Sequence, residues 1–436
     1  MIYGGDGLAR LPADASGRGK AVFVPFVLTG EKVEASLTEQ KPGFARAHVD
    51  KILETSPYRI QPACPYFGPC GGCHYQHASY EHQLEIKKDI LRETLRRTAK
   101  LELSADIEVH PSPPWNYRNR SRLQVQAAPT FKAGYFKMSS HELLPVEQCP
   151  ISSPLINRGI STLWQSGRAG KVPQGVREVE FFANAEDTQL LVEISSTPDS
   201  RRAALRTWAE DLCGTMPEIS GVVVFRDQAS AKSAQEKLLT AGADHLTYKT
   251  ARTAYRISAG SFFQTNRYLI DELVRIVIEG QSGDLALDLY SGVGLFSTVL
   301  ACDIRHIVSV ESSQTSSADL SYNQPSNGEV IQATAEQYLA RTEQKGRVGK
   351  GTVLPHSLHT PDLAVVDPPR SGLGERVARL LATLGAPRVV YVSCDPATLA
   401  RDLVTLCAAG YRIAQLHLVD LFPQTYHLES VVHLVR

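Results

Sequence analysis

Short runs in which apolar and polar side chains alternate open the chain, among them Lys20-Ala21-Val22-Phe23-Val24 and Glu31-Lys32-Val33-Glu34-Ala35, joined by glycine-rich connections. A period of two turns one face of each run toward a core, so residues 1–55 read as a small β-barrel or sheet. Residues 56–80 are broken by proline and carry three cysteines. Tyr80 to about Lys100 then runs without Gly or Pro, with apolar residues at Leu84, Ile86, Ile90, Leu91 and Leu95. That spacing predicts a helix, and Lys87, Lys88, Arg92, Arg96, Arg97 and Lys100 predict a basic outer face.

Strand signals return between about 110 and 250, in Leu123–Val125, Val179–Phe182, Leu190–Ile194 and Val222–Phe225, with a helix around 200–212. After about 265 the rhythm becomes strand, glycine turn and helix. The apolar strands are Leu285–Leu289, Ile307–Val310, Leu363–Val366 and Val389–Val392. Continuous apolar strands separated by helices predict a doubly wound, mostly parallel sheet. The expected organisation is α/β and multidomain: a barrel over 1–55, a cysteine-rich segment and basic helix over 56–100, a mixed central domain over 101–250 and a Rossmann-like domain over 251–436.

Composition excludes more than it identifies. With 436 residues, 43% hydrophobic and 21% charged, the chain is ordinary globular material rather than a disordered polymer. No run of about 18 apolar residues is present to span a bilayer, and the first twenty residues lack the layout of a signal peptide, so a cytoplasmic protein is expected. Lys plus Arg equals Asp plus Glu at 46 each, so attraction to nucleic acid must come from local patches. Eight cysteines are too few for a disulfide scaffold in a chain of this length, so clustered ones point to a metal and isolated ones to packing or catalysis.

The stretch Leu287-Asp288-Leu289-Tyr290-Ser291-Gly292-Val293-Gly294 reads as a buried strand ending in a glycine turn that opens a helix and lets a cofactor approach the backbone. The next strand ends in Glu311, where a carboxylate can accept both ribose hydroxyls of an adenosine-containing cofactor. The third glycine of a dinucleotide fingerprint is absent. A cofactor without a pyrophosphate, such as S-adenosylmethionine, needs only the tight turn; a dinucleotide site and an inert α/β turn remain open on this segment alone.

Asp367-Pro368-Pro369-Arg370 and Ser393-Cys394-Asp395-Pro396 both fall at the carboxyl ends of parallel strands, the edge at which open α/β sheets bind ligands. Cys394 there is a candidate nucleophile if positive charge or the helix starting at Pro396 lowers its pKa. The competing reading is a buried small hydrophobe. A thiolate and a base together suit uracil, whose carbon 5 is too poor a nucleophile to take a methyl group unaided: thiolate addition at carbon 6 makes carbon 5 enolate-like, and a base later removes its proton. Glu429, in Tyr426-His427-Leu428-Glu429-Ser430, is the candidate base.

These motifs together resemble the RNA uridine-5 methyltransferase family, S-adenosylmethionine-dependent enzymes of 23S ribosomal RNA or of the transfer RNA T loop that often carry an N-terminal TRAM domain. The resemblance covers nearly the whole chain, through CPYFGPCGGCHYQH from Cys64, YRNRSRLQV from Tyr117, SFFQTN from Ser261, LDLYSGVGLFS from Leu287, DPPRSGL from Asp367, SCDPATLARDL from Ser393 and HLESVVHL from His427. It implies that Cys394 is the nucleophile and Glu429 the base, and that Gln264, Tyr290, Gly292, Glu311 and Asp367 bind S-adenosylmethionine or shape its pocket. It also implies an RNA partner, 23S ribosomal RNA ahead of transfer RNA, with Phe262 beside the target base. No obligate protein partner is expected, and the enzyme reads as a monomer. Asp395 stands where the family commonly has Asn, and Leu295 where some relatives place a polar cofactor contact. The first TRAM strand is expected to be missing before Met1, and residues 344–360 read as an insertion without an assigned role.

Cys64, Cys70 and Cys73 follow C-x5-C-x2-C, and Cys149 supplies a distant fourth thiol, an all-thiolate set suited to zinc or an iron-sulfur cluster. The resemblance favours a 4Fe-4S cluster, with zinc the alternative. A radical S-adenosylmethionine enzyme would show C-x3-C-x2-C, and the first gap here is five. Arg118, Arg120 and Arg122 beside Trp115 and Tyr117 read, with the basic helix, as RNA-gripping patches, although a solvated helix face accounts for the helix equally well.

Overall fold

The computed structural model describes residues 1–11, 19–103, 106–227, 236–345 and 360–436. The insertion read over 344–360 lies almost entirely outside them.

At the N-terminus a four-stranded sheet runs in the order Asp6–Arg10, Ala21–Pro25, Phe44–Glu54, Lys32–Gln40. Its small core is Val22, Val24, Val27, Ala45 and Ala47. A second sheet of seven strands occupies the centre, from Glu236–Gly242 at one edge through Val176–Ala183 and Arg120–Gln126 to Leu143–Pro145 at the other. Helices Pro154–Arg168 and Arg202–Thr215 cover one face, burying Ile156, Ile160, Trp164, Leu205 and Trp208 against Val179, Phe181 and Val192. The first of these helices starts as its sequence dictates: Ser153 Oγ accepts from the Ile156 amide, and Pro154 fills a first-turn position where no amide is missed.

The third sheet has eight strands in the order Gly328–Gln332, Ile304–Glu311, Gly283–Leu289, Leu363–Val366, Arg388–Ser393, Glu429–Val435, Arg412–Val419, Glu108–His110. The first five run parallel, and Glu429–Val435 is antiparallel to both its neighbours. Side chains of alternating parity feed two apolar layers. Leu285, Leu287, Val366, Val389 and Tyr391 face helices Gly374–Leu384 and Pro396–Ala408, while Ala286, Val365, Val390 and Val431 face helix Ile270–Ile278. This is the doubly wound arrangement that the apolar runs predict. The strand order reverses between Gly283–Leu289 and Leu363–Val366, and this switch point opens a crevice at the carboxyl ends of the strands.

Three local expectations are corrected. The glycine turn leads into only a four-residue helix, Ser297–Leu300, because residues 291–296 continue as turns. Strand Glu108–His110, assigned by pattern to the central segment, pairs with Arg412–Val419 at the edge of the third sheet. Helix Tyr80–Thr94, continued by a π-helical turn over Leu95–Ala99, is not simply a basic surface helix. Ile86, Ile90 and Leu91 pack into the third sheet's core, and Lys87 is fully buried with its Nζ 2.6 Å from Asp420 Oδ1.

Candidate active site

The glycine turn is held from the neighbouring strand. Glu311 Oε2 accepts from the Gly292 amide at 2.9 Å and Oε1 from the Ser313 amide at 2.6 Å, while Ser291 Oγ donates to the Asp288 carbonyl at 2.7 Å. Gly292 has φ 56° with open space where a Cβ would stand; Gly294, at φ 93°, would drive a Cβ to 2.9 Å from Leu320. One glycine therefore leaves room for a ligand, and the other lets helix Gln314–Asn323 close in. Tyr290 holds φ 64° without being glycine, a strained position at the mouth of the crevice. Leu295 lies in the core and offers no side-chain contact to a cofactor.

Across the switch point, Gln264 Nε2 donates to Asp367 Oδ2 at 3.4 Å, and Asn119 Nδ2 fastens the Gln264 carbonyl at 3.0 Å. The central domain thus positions a residue of the crevice. Asp288, fully buried, is pushed up to about 7, chiefly by burial, against polar contacts from Ser297 and Ser291 that hold it down. Burial and the Asp288 charge push Asp367 up as well.

Cys394 and Glu429 meet through the sheet ladder. Ser393 pairs with Ser430, so one step further along the antiparallel pair brings Cys394 to Glu429. Burial, then the negative charges of Glu429 and Asp367, push the Cys394 thiol up to about 12, against the opposing charge of Arg370. Glu429 is 3% exposed, and burial and Asp367 raise it well above the usual carboxylate range. The expectation that the following helix lowers the cysteine's pKa fails for a local reason. Burial and the two carboxylates outweigh it, and Asp395 caps helix Pro396–Ala408, its Oδ1 accepting from the Ala397 and Thr398 amides at 3.0 and 2.9 Å. Asn would cap equally well, which accounts for the exchange at this position.

Sequence reasoning missed Asp288 and Arg370 as parts of this site, although both stand inside motifs already singled out. It also missed Tyr3, whose hydroxyl donates to the Cys394 carbonyl at 3.4 Å and whose ring meets Tyr426 edge-on at 5.5 Å. A lone tyrosine ahead of the first strand carries no signal. The segment leading to Glu429 is fastened from several directions: the His74 and Tyr75 amides donate to the Gln424 carbonyl at 2.8 and 2.9 Å, and Tyr117 Oη to the Pro423 carbonyl at 3.0 Å.

Cys64, Cys70, Cys73 and Cys149, all free thiols, line one cavity of about 530 Å³ together with Gly71, Gly72 and Arg118. Burial and the Cys149 charge push Cys73 up to about 12. Four cysteines lining one cavity form a donor set that fits a thiolate-bound metal group.

The expected RNA patches change character. Tyr117 is wholly buried, and Arg120 and Arg122 both pair with Glu180. Phe262 is instead 62% exposed next to Gln264, whereas Phe263 is core.

A doubly wound sheet with an antiparallel last strand, a switch-point glycine turn and no third glycine defines a Rossmann-like methyltransferase. Residues 79–436 match the tRNA (Uracil-5-)-methyltransferase family, and residues 3–49 the TRAM domain. An uncharacterized RNA methyltransferase of Aquifex aeolicus is 34% identical over 437 residues, spanning 99% of this chain and 96% of that protein. One of Caldanaerobacter subterraneus is 30% identical, spanning 100% and 96%. The crystal structure of Pyrococcus abyssi tRNA (uracil-54, C5)-methyltransferase in complex with S-adenosyl-L-homocysteine shares the fold, with a TM-score of 0.73 at 24% identity over 99% of this chain and 100% of that one. The chain belongs to the tRNA (uracil-5-)-methyltransferase family of S-adenosylmethionine-dependent RNA methyltransferases. Among the described residues, no helix is long and apolar enough to cross a membrane.

Proposed function

We propose that this enzyme methylates carbon 5 of a uridine through a covalent adduct between Cys394 Sγ and carbon 6, with Glu429 as the base. The observation that carries this reading is the convergence of Cys394, Glu429, Asp367 and Arg370 at the switch-point edge of the sheet. S-adenosylmethionine, held by Gln264, Tyr290, Gly292, Glu311 and Asp367, supplies an electrophilic methyl group. Its positive charge beside the carboxylates offsets the field that keeps Cys394 protonated in the free enzyme. With Cys394 and Glu429 ionised and their protons released to solvent, the thiolate adds to carbon 6, carbon 5 takes the methyl group as the methyl–sulfonium bond breaks, the Glu429 carboxylate removes the carbon 5 proton and the thiolate is expelled. Phe262 offers an exposed ring on which the target base stacks.

The four-cysteine cavity holds a 4Fe-4S cluster in this reading, with zinc the alternative. Either would tie residues 64–73 to Cys149, next to the His74 and Tyr75 amides that hold the Gln424 carbonyl ahead of Glu429. The RNA is 23S ribosomal RNA on the motif resemblance. The T loop of transfer RNA is the second reading, and the fold shared with the Pyrococcus abyssi enzyme favours it.

Mapping 5-methyluridine by mass spectrometry in both RNA classes, with and without the gene, decides between them. Loss at ribosomal sites supports the first and loss at the T loop the second; an unchanged pattern in both withdraws the substrate assignment. For the chemistry, RNA containing 5-fluorouridine should form a stable protein adduct that Cys394→Ala abolishes, and an adduct that survives this change rules out Cys394.

A further inference from the structure

Outside the active site and the cysteine cavity, three side chains on the far edge of the third sheet turn their donor atoms toward one another. Glu108 and His110 lie on strand Glu108–His110, and His417 lies on Arg412–Val419, in register with Glu108. His110 Nε2 is 3.1 Å from His417 Nδ1 and 3.6 Å from Glu108 Oε1, and His417 Nδ1 is 3.4 Å from Glu108 Oε2. One donor atom from each of the three lies within 4.8 Å of the others, close to the about 3.3–3.4 Å spacing of donors around a tetrahedral ion with bonds of about 2.0–2.1 Å.

The surroundings orient the donors. Glu272 Oε1 lies 2.7 Å from His110 Nδ1, on the far side of the ring from His110 Nε2, which faces Glu108 and His417. A carboxylate behind an imidazole is the arrangement that orients histidine ligands in zinc sites. A divalent ion between Glu108, His110 and His417 would take one lone pair from each of the three side chains.

We propose that Glu108, His110 and His417 bind a zinc-type divalent cation, with water in the fourth position, and that this ion fastens strand Glu108–His110 to the sheet. The Glu108 side chain is 63% exposed and gives the ion a way in, whereas His110 and His417 are 8% and 10% exposed. Two imidazoles and a carboxylate suit Zn2+, and also Co2+ as a spectroscopic substitute.

Co2+ added to the full-length protein tests this. The expected result is one Co2+ per chain with visible ligand-field bands and no thiolate-to-cobalt charge-transfer band, which separates this site from the cysteines. Glu108→Gln changes an exposed side chain, so it should fold normally and weaken that cobalt by at least about 10-fold. His417→Gln should abolish the same bands. Added Zn2+ should raise the melting temperature of the wild type but not of Glu108→Gln. Cobalt taken up only with charge-transfer bands, or equal affinity in wild type and Glu108→Gln, would overturn the proposal and leave a hydrogen-bonded pair of histidines.

Discussion

Asp395 accepts from the first free amides of helix Pro396–Ala408. Replacing it with Ala should lower stability by about 1 kcal/mol, whereas Asn should leave the denaturation midpoint nearly unchanged, because both Asp and Asn accept from the same amides. Glu429→Gln removes the base while keeping the size of the side chain. With unmodified RNA and S-adenosylmethionine, a protein-RNA adduct should accumulate that the wild type turns over, visible as a shifted band on a denaturing gel. Asp288 gives a pH signature. Its folded value of about 7 stands above the ordinary 3.8, so the folded protein holds a proton that the unfolded chain has released. That contribution is complete below 3.8 and is lost as pH rises through about 7. Urea midpoints should therefore fall across this window more steeply in the wild type than in Asp288→Asn; parallel curves would contradict a buried carboxyl that keeps its proton in the folded state. The side chains of the proposed mechanism stand out in the sequence because Cys394, Glu429 and Asp367 each end or begin an apolar run. Their charge states were not, since those depend on what the fold brings alongside.

On helix Tyr80–Thr94, periodicity reported the apolar stripe correctly and misjudged one lysine. Lys87 sits on the inner face between Ile86 and Ile90, where its Nζ reaches Asp420 Oδ1 at 2.6 Å and the Phe422 carbonyl at 2.9 Å, and Tyr80 Oη donates to Asp420 Oδ2 at 2.9 Å. A buried lysine is legible only with its partner, and that partner is more than three hundred residues away. Lys87→Met would leave Asp420 buried without its cation and should cost about 3–5 kcal/mol in unfolding free energy. It should also loosen the segment from Phe422 to His427 and reduce turnover. The short helix after the glycine turn escaped prediction for the opposite reason: Ser291 to Phe296 use their polar groups in turn hydrogen bonds, which no helical period describes.

Across the whole molecule, the alternation of apolar strands and helices after residue 265 was enough to read the doubly wound sheet, because each central strand is buried on both faces. The assembly around it was less legible. Strand Glu108–His110 has three residues, too few for a period, and it joins the sheet only through Arg412–Val419. Contacts between the N-terminal sheet and the catalytic edge rest on single side chains such as Tyr3 and Tyr426. The Cys394 thiol, held near 12, has a further consequence for the free enzyme. Oxidants and alkylating reagents attack thiolates, so a thiol held this high reacts slowly with them at neutral pH. Brief iodoacetamide treatment followed by peptide mass spectrometry should find exposed Cys302 carbamidomethylated well before Cys394. A cell under oxidative stress would then keep its idle enzyme intact at the one sulfur the reaction cannot do without.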